Sequence, residues 1–455
     1  MGRERVGTEI EIEIDDLAFG GAGVGRHQGW VVFVHDTAPG DRVRARIRKS
    51  RRRHGEADLL EVLDEGPVRV APECPHVPRC GGCRLQHLPY DLTLQAKRSQ
   101  VGEHLVRIGH ITGIDVRDPV PAVSPFGYRN KMEYSSAPGP DGAVLGFHER
   151  GRWDSVLDLT TCLLASPRAE ALRRETRAWA RDEGLRGWDR REHVGDLRHL
   201  ITREGVTTGQ LLASVVTTSG HDDTAGRLAD RLRAIEPGLV GVRHLVGDGV
   251  GETTADLPAR ILWGQDRIEE RIMGATLRLS ADAFFQTNTA MTEVLYGHVA
   301  EAAGLDGGQV LYDLFSGIGS IGICLAPGAR EVVAIEIDEA ATVDARLNAA
   351  ANGVDNHTAL AGDVRVVLRE QGADLAPPDV AIVDPPRAGL SGGAVRRVLE
   401  LAPPTLVYVS CQPATFADNA ARFIAGGYEL EYVQPVDMFP QTPHVEAVAR
   451  FTRSD

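Results

Sequence analysis

Apolar and polar positions alternate along the start of the chain. Between residues 8 and 65, residues 9–14 alternate with a period of two, residues 30–34 form a short apolar run, and glycine and proline turns separate these stretches. A period of two places successive side chains on opposite faces of a β-strand. The pattern predicts an OB-like β-barrel over residues 1–66.

The pattern changes from residue 275 onward. Short apolar runs alternate with helical stretches, which is typical of a doubly wound α/β, Rossmann-like sheet over residues 275–455. We expect its strands at 310–315, 332–337, 359–362, 380–383, 405–409 and 429–435. Strand-like runs at 199–202, 210–217 and 239–246 predict a central α+β domain over residues 67–274.

A glycine-rich turn follows the strand predicted to end at Phe315. Gly317, Gly319 and Gly322 have the spacing G-x-G-x-x-G, which lets a backbone approach a ligand closely. Glu336 ends the next predicted strand, where a carboxylate can accept hydrogen bonds from ribose hydroxyls. The turn therefore predicts a nucleoside-bearing cofactor, and it leaves nicotinamide dinucleotides and S-adenosylmethionine open.

Further reactive groups follow the ends of the later predicted strands. Asp363, Asp384 and Cys411 lie there, and Glu446 adds a carboxylate near the C-terminus. A thiolate that adds to carbon 6 of uracil makes carbon 5 nucleophilic, and a base must then remove the carbon-5 proton. These groups fit methylation of carbon 5. Because a free thiol has a pKa of about 8.5, we expect the site to favour the Cys411 thiolate.

The size and composition of the chain bear on its number of domains and on its cellular compartment. The 455 residues exceed one ordinary domain, and 42% hydrophobic content suits a globular protein. The sequence contains no run of about 20 apolar residues and no secretory signal, so we expect a cytoplasmic protein without a membrane partner.

One strongly basic segment interrupts a net charge of -14. Eight of the twelve residues in 42–53 are Arg or Lys, and Arg42, Arg44, Arg46 and Arg48 would share one face of a strand. The stripe favours RNA as a partner of the barrel, and a solvated basic loop is the alternative.

Three of the six cysteines, Cys74, Cys80 and Cys83, lie within ten residues, and Cys162 is the nearest candidate for a fourth ligand. Clustered cysteines in a long cytoplasmic chain indicate a metal site more often than disulfides. The spacing leaves zinc and an iron–sulfur cluster open, and unligated reactive thiols are a third possibility.

Taken together, these features resemble the bacterial RNA uracil-5-methyltransferases, specifically the 23S rRNA branch that carries an N-terminal TRAM domain and an iron–sulfur cluster. The resemblance rests on the turns of the barrel, the Ser-Cys-x-Pro-x-Thr run around Cys411, the His-Val-Glu run ending at Glu446 and the Phe-Phe-Gln-x-Asn run around Gln286. It implies that Cys411 is the nucleophile and that Glu446 is the base.

The resemblance also implies the remaining site residues. Contacts to S-adenosylmethionine are expected from Gln286, Phe315, Ser320, Glu336, Asp363 and Asp384. A 4Fe–4S cluster is expected on Cys74, Cys80, Cys83 and Cys162. Ser316 and Ser320 depart from a Cys and an Asn common in the family, which affects fine contacts only. A helix near 91–108 is expected to pack on the catalytic domain, so that residues 90–118 interrupt the central one.

The implied partner is RNA. We expect a uridine of 23S rRNA, with the tRNA T-loop uridine as the alternative and no obligate protein partner. A nicotinamide-dependent oxidoreductase and a non-catalytic iron–sulfur RNA-binding protein are rival classes. Enzymes that methylate exocyclic nitrogens resemble the Asp-Pro-Pro run at Asp384, but they do not need Cys411.

Overall fold

The computed structural model describes residues 3–18, 20–254 and 257–453, so the ends of the predicted domains at residues 1 and 455 lie outside it. The first strands close into a barrel in the order β1-β2-β3-β5-β4. They are β1 (Glu9–Leu17), β2 (Gly23–His27), β3 (Trp30–Val34), β4 (Arg42–Ser50) and β5 (His54–Asp64). Alternate apolar side chains such as Ile12, Val32 and Val43 fill the barrel, which confirms the predicted fold of this part.

The four arginines of β4 do share one exposed face, but each is paired with a carboxylate of β1 or β5. Arg42 lies 3.0 Å from Glu11, and Arg46 lies 2.7 Å from Glu9. Arg44 pairs with Glu61 and Arg48 with Glu56. The stripe is therefore a charge-balanced ladder of ion pairs on the surface of the barrel.

A mixed sheet in the order β13-β12-β11-β10-β7-β8-β9 forms the centre of the chain, and α2 and α3 pack on it. The elements from the barrel to this sheet are α1 (Tyr90–Arg107), β6 (Asp115–Val116), β7 (Lys131–Gly139), β8 (Gly142–His148), β9 (Val156–Asp158), α2 (Pro167–Asp182), β10 (Leu197–Gly205), β11 (Gln210–Thr217), α3 (Asp222–Ile235), β12 (Leu239–Val246) and β13 (Ala259–Gly264).

The C-terminal part is an α/β sheet in the order β18-β17-β16-β19-β20-β22-β21-β6, preceded by the hairpin β14–β15. Its elements are β14 (Arg267–Ile272), β15 (Ala275–Ser280), α4 (Thr289–Ala303), β16 (Val310–Leu314), α5 (Ser320–Leu325), a 3₁₀ turn (Ala326–Gly328), β17 (Glu331–Glu336), α6 (Glu339–Ala351), β18 (His357–Ala361), α7 (Val364–Glu370), β19 (Val380–Val383), α8 (Gly392–Leu401), β20 (Thr405–Ser410), α9 (Pro413–Ala425), β21 (Tyr428–Val436) and β22 (Glu446–Arg453). Strands β16 to β20 are parallel, as the sequence predicted.

Two features of this sheet position the site. The strand order reverses between β16 and β19, which marks the place where ligands bind in open α/β sheets. Strand β22, which the sequence did not predict beyond the apolar pair Ala447-Val448, lies antiparallel between β20 and β21.

The chain also crosses from the barrel to the C-terminal sheet before it enters the central one. Helix α1 packs on α9, and β6 pairs with β21 at the edge of the sheet. The domain limits drawn from the sequence stay a prediction. Across the residues that the structure describes, no helix is long and apolar enough to span a membrane.

Candidate active site

The register of the parallel strands brings several candidate residues to one edge. Leu314 is opposite both Ile335 and Val383, so the next residues, Phe315, Glu336 and Asp384, follow at neighbouring strand ends. Asp363 caps the start of α7 after β18, and Ser320 begins α5. Phe315, Glu336 and Asp384 thus lie at one edge of the sheet, at or next to the point where the strand order reverses.

The glycine turn is tied to Glu336. The backbone N–H of Gly317 donates to Glu336 Oε2 at 2.9 Å, and that of Asp338 donates to Oε1 at 2.8 Å. Each carboxylate oxygen has two lone pairs, so Glu336 retains acceptor capacity for ribose hydroxyls. Phe315 has a φ of 66°, a left-handed conformation that is strained for a residue with a Cβ and that often marks a functional site.

Asp313 is a buried carboxylate that sequence reasoning missed. Its Oδ2 accepts a hydrogen bond from the backbone N–H of Gly322 at 2.8 Å and so ties α5 to β16. Burial raises the pKa of Asp313 to about 7, and the Glu336 charge adds to the effect. An acidic residue inside the apolar run 310–315 is the signal that could have found it.

The other predicted cofactor contacts have partners of their own. The hydroxyls of Ser320 and Tyr296 lie 2.6 Å apart. Asp363 accepts from the Arg365 guanidinium at 2.6 Å, and this bond lowers the pKa of Asp363. Gln286 is buried, and its backbone carbonyl accepts from the amide of Asn130 at 2.9 Å.

Cys411 and Glu446 lie on adjacent antiparallel strands. Ser410 at the end of β20 is opposite Ala447 in β22, so the register continues with Cys411 beside Glu446. Glu446 is only 3% exposed, whereas Cys411 is half-buried. The unpredicted strand β22 is what brings the thiol and the carboxylate together.

In the protein without ligand, the acidic groups of this site favour their protonated forms. Burial raises the pKa of Cys411 to about 11, and the charges of Glu446 and Asp384 contribute to this rise. Burial also raises the pKa of Asp384 to about 7 and that of Glu446 well above its ordinary value. Desolvation and the two neighbouring acids disfavour the Cys411 thiolate in the free protein, which runs against the expectation of a thiolate there.

Arg387 supplies positive charge to this acidic site. Its guanidinium lies 3.2 Å from His444 Nδ1, and it partly offsets the rise in the pKa of Cys411 and Glu446. Burial and nearby cations lower the pKa of His444 to about 4, so this imidazole is neutral at pH 7. A neutral ring can accept a hydrogen bond from Arg387.

All four clustered cysteines line one small cavity, together with Gln86 and Leu164. Burial raises the pKa of Cys83 to about 12 and that of Cys162 to about 11, and the other thiols add to the rise at Cys83. Among the described residues, no group of three or more His, Cys, Asp or Glu side chains is arranged to hold a metal ion. The four thiols therefore share a cavity, and the structure does not show them arranged as metal ligands.

The fold defines a Rossmann-like α/β domain with a glycine turn at the point where the strand order reverses. Residues 257–453 match the family model described as tRNA (Uracil-5-)-methyltransferase, and residues 3–60 match the TRAM domain. An uncharacterized RNA methyltransferase of Halalkalibacterium halodurans is 34% identical, over 97% of this chain and 96% of its own. A similarly described protein of Listeria innocua is 36% identical, over 97% of each chain. The chain belongs to the RNA (uracil-5-)-methyltransferase family.

A solved structure shares the whole architecture. The crystal structure of the Pyrococcus abyssi tRNA (uracil-54, C5)-methyltransferase in complex with S-adenosyl-L-homocysteine is 29% identical to this chain, with a TM-score of 0.79. The match covers 97% of this chain and 99% of that one.

Proposed function

We propose that the protein transfers a methyl group from S-adenosylmethionine to carbon 5 of a uridine in RNA. The observation that carries the proposal is the register of β20 and β22, which sets Cys411 beside Glu446. Asp384 lies close enough to raise the pKa of both. A nucleophile, a base and a cofactor edge thus meet at one point.

Two side chains act in the reaction. The Cys411 thiolate bonds to carbon 6 of uracil, and carbon 5 then forms a bond to the methyl carbon as the methyl–sulfonium bond breaks. Glu446 takes the carbon-5 proton, the double bond re-forms, and the Cys411 thiolate leaves. The products are 5-methyluridine and S-adenosylhomocysteine.

The electrostatics of the site suit a cationic methyl donor. Carboxylates with raised pKa values gain most from a nearby positive charge, and a sulfonium would favour their ionised forms and the Cys411 thiolate. Asp384 and Glu446 provide such carboxylates. The remaining contacts to the cofactor would come from Gln286, Phe315, Ser320, Glu336 and Asp363.

The four cysteines are proposed to hold a 4Fe–4S cluster, as the resemblance in sequence implies. Their thiols line one cavity, although among the described residues no group of three or more potential ligands is arranged to hold a metal ion. Cys74, Cys80, Cys83 and Cys162 would hold the cluster, releasing their thiol protons. Iron analysis and an absorption spectrum of anaerobically purified protein test this, and stoichiometric zinc would contradict it.

The substrate is proposed to be a uridine of 23S rRNA, as the sequence predicted. A tRNA uridine is the second candidate, because the Pyrococcus abyssi protein is described as a tRNA (uracil-54, C5)-methyltransferase. The oxidoreductase alternative gives Cys411 and Glu446 no joint purpose. Calorimetry separates it from the proposal, since tight binding of NAD without binding of S-adenosylmethionine would overturn methylation.

In vitro methylation tests the proposed function. Anaerobically prepared protein is given S-adenosylmethionine with unmodified 23S rRNA fragments or tRNA transcripts, and 5-methyluridine is mapped by mass spectrometry. We expect the product at one uridine of the rRNA. Product in tRNA alone would replace the rRNA assignment, and its absence from both RNAs would contradict the proposed chemistry.

A further inference from the structure

The loop between β21 and β22, residues 437–445, is held by parts of the chain that are remote in sequence. Four consecutive backbone carbonyls in this loop accept hydrogen bonds from outside it: those of Met438, Phe439, Pro440 and Gln441. Such a succession leaves the loop backbone little freedom. We call this segment the base loop, because it leads directly into Glu446.

Most of the donors come from the half of the chain that precedes the catalytic sheet. Lys97 Nζ donates to the carbonyl of Phe439 at 3.1 Å, and the Tyr128 hydroxyl donates to that of Pro440 at 3.1 Å. The backbone N–H groups of Arg84 and Leu85 both donate to the carbonyl of Gln441, at 2.9 and 3.2 Å. Arg84 directly follows Cys83, so the cysteine-rich segment touches the base loop through its own backbone.

A buried ion pair fixes the start of the base loop. Lys97 Nζ lies 2.5 Å from Asp437 Oδ1, and their side chains are 1% and 0% exposed. The Tyr90 hydroxyl donates to Asp437 Oδ2 at 2.8 Å, so both carboxylate oxygens are satisfied. A fully buried charge pair is costly to desolvate and is weak evidence for stability, but it can specify one conformation.

We propose that Lys97, Tyr128 and the backbone after Cys83 act as a clamp that positions the base loop, and hence Glu446, for proton removal. The inference rests on the proposed function only for the role of Glu446. Gln441 has a φ of 66°, a strained conformation that the clamp holds in place. Through the clamp, the cysteine-rich segment helps to hold the loop that leads into Glu446.

Hydrogen exchange tests the clamp independently of activity. In the double variant Lys97→Met/Asp437→Asn no unpaired charge is buried, and we expect amide exchange in residues 437–445 to accelerate by about tenfold or more. Tyr128→Phe removes a single hydroxyl, and we expect a several-fold acceleration in the same peptides. Tyr428→Phe is the matched control, because the Tyr428 hydroxyl also donates to a proline carbonyl, that of Pro403 at 2.8 Å, at the far end of the sheet.

A second readout separates positioning from a general structural role. If the clamp aims Glu446, the double variant still forms the covalent Cys411–RNA adduct but resolves it slowly, so adduct accumulates while the KM for S-adenosylmethionine is unchanged. A merely structural role lowers adduct and turnover together, in proportion to the folded protein.

Two results would overturn the clamp. One is exchange in residues 437–445 that stays at the level of wild type and Tyr428→Phe. The other is a loss of turnover without accumulation of adduct. If wild-type protein forms neither adduct nor 5-methyluridine, the proposed function fails instead, and the exchange rates alone decide whether the clamp holds the loop.

Discussion

The two charge-rich regions of the molecule are built in opposite ways. On β4 of the barrel, exposed arginines are neutralised one by one by carboxylates of β1 and β5. At the ligand edge of the C-terminal sheet, Asp384 and Glu446 have no ion pair with a cation in the described part of the chain, and their pKa values are raised. The exposed arginines of β4 are thus balanced by ion pairs, whereas Asp384 and Glu446 at the ligand edge are not.

The contrast shows which charges indicate function. An exposed ion pair in water contributes little, and its residues can be chosen for solubility and strand pairing. A buried carboxylate without a counter-charge is costly, so it persists where a ligand or a reaction uses it. The β4 face is neutralised by ion pairs, whereas the raised pKa values at the ligand edge are only partly offset by Arg387.

The largest effect is expected at the nucleophile. Cys411→Ala should lower methyl transfer to below about one thousandth of wild type, because alanine has no thiol to form the bond to carbon 6. Radiolabelled methyl transfer measures this, and denaturing gels show whether covalent RNA adduct is lost. Cys324→Ala, which removes a buried thiol that donates a hydrogen bond to the Ile272 carbonyl, is the control. Comparable loss in both variants would contradict the role of Cys411.

Replacement of the base should separate methyl transfer from release of the product. Glu446→Gln should retain addition and methyl transfer but slow release by about 10²- to 10⁴-fold, so that covalent RNA adduct accumulates. Quenched-flow sampling with denaturing gels follows the adduct. Glu429→Gln, an exposed carboxylate at the far end of β21, should behave as wild type. Normal turnover of Glu446→Gln would remove Glu446 from the mechanism.

The acidic edge should make cofactor affinity depend on pH. Because the pKa of Asp384 is about 7 in the free protein, a bound sulfonium must displace a proton at lower pH. Affinity for S-adenosylmethionine should therefore rise by up to about tenfold per pH unit below pH 7 and level off above it. Calorimetry between pH 5.5 and 8.5, chosen to bracket that pKa, measures the slope.

Two comparisons sharpen this pH test. S-Adenosylhomocysteine lacks the sulfonium charge and should show a shallower slope, and Asp384→Asn should flatten the slope for S-adenosylmethionine. Equal slopes for both ligands in wild-type protein would show that the acidic edge does not sense the sulfonium.

The smallest effect is expected on the barrel. Arg52 is exposed at the β4–β5 turn and has no ion pair in the described structure, whereas Arg44 is paired with Glu61. Arg52→Gln should weaken RNA binding a few-fold and reduce its salt dependence by about one counterion, and Arg44→Gln should do less. Binding titrations at several salt concentrations compare the two, and a larger effect of Arg44→Gln would reverse the ranking.

Local patterns predicted the barrel and the parallel strands, because both produce regular patterns of apolar residues within short segments of the chain. They did not predict β22, whose pairing with β20 and β21 depends on the whole sheet. Nor could they reveal the bond between Lys97 and Asp437, which are 340 positions apart. A period of two predicted that the arginines share one face of a strand, but their neutralisation depends on the register of two other strands.

The candidate site could likewise be predicted only in part. Motifs around Cys411 and Glu446 indicated the residues, while their adjacency required the unpredicted strand. The raised pKa of Cys411 could not be predicted from the sequence, because desolvation and neighbouring charges depend on the folded site.

Trapping with RNA that carries 5-fluorouridine tests the central claim most directly. Fluorine at carbon 5 cannot be removed as a proton, so a reaction through a carbon-6 adduct stops after methyl transfer. In the presence of S-adenosylmethionine, peptide mapping by mass spectrometry should find a methylated fluorouracil nucleotide bonded to Cys411. Absence of an adduct under conditions in which unmodified RNA is methylated, or an adduct on another residue, would contradict the account.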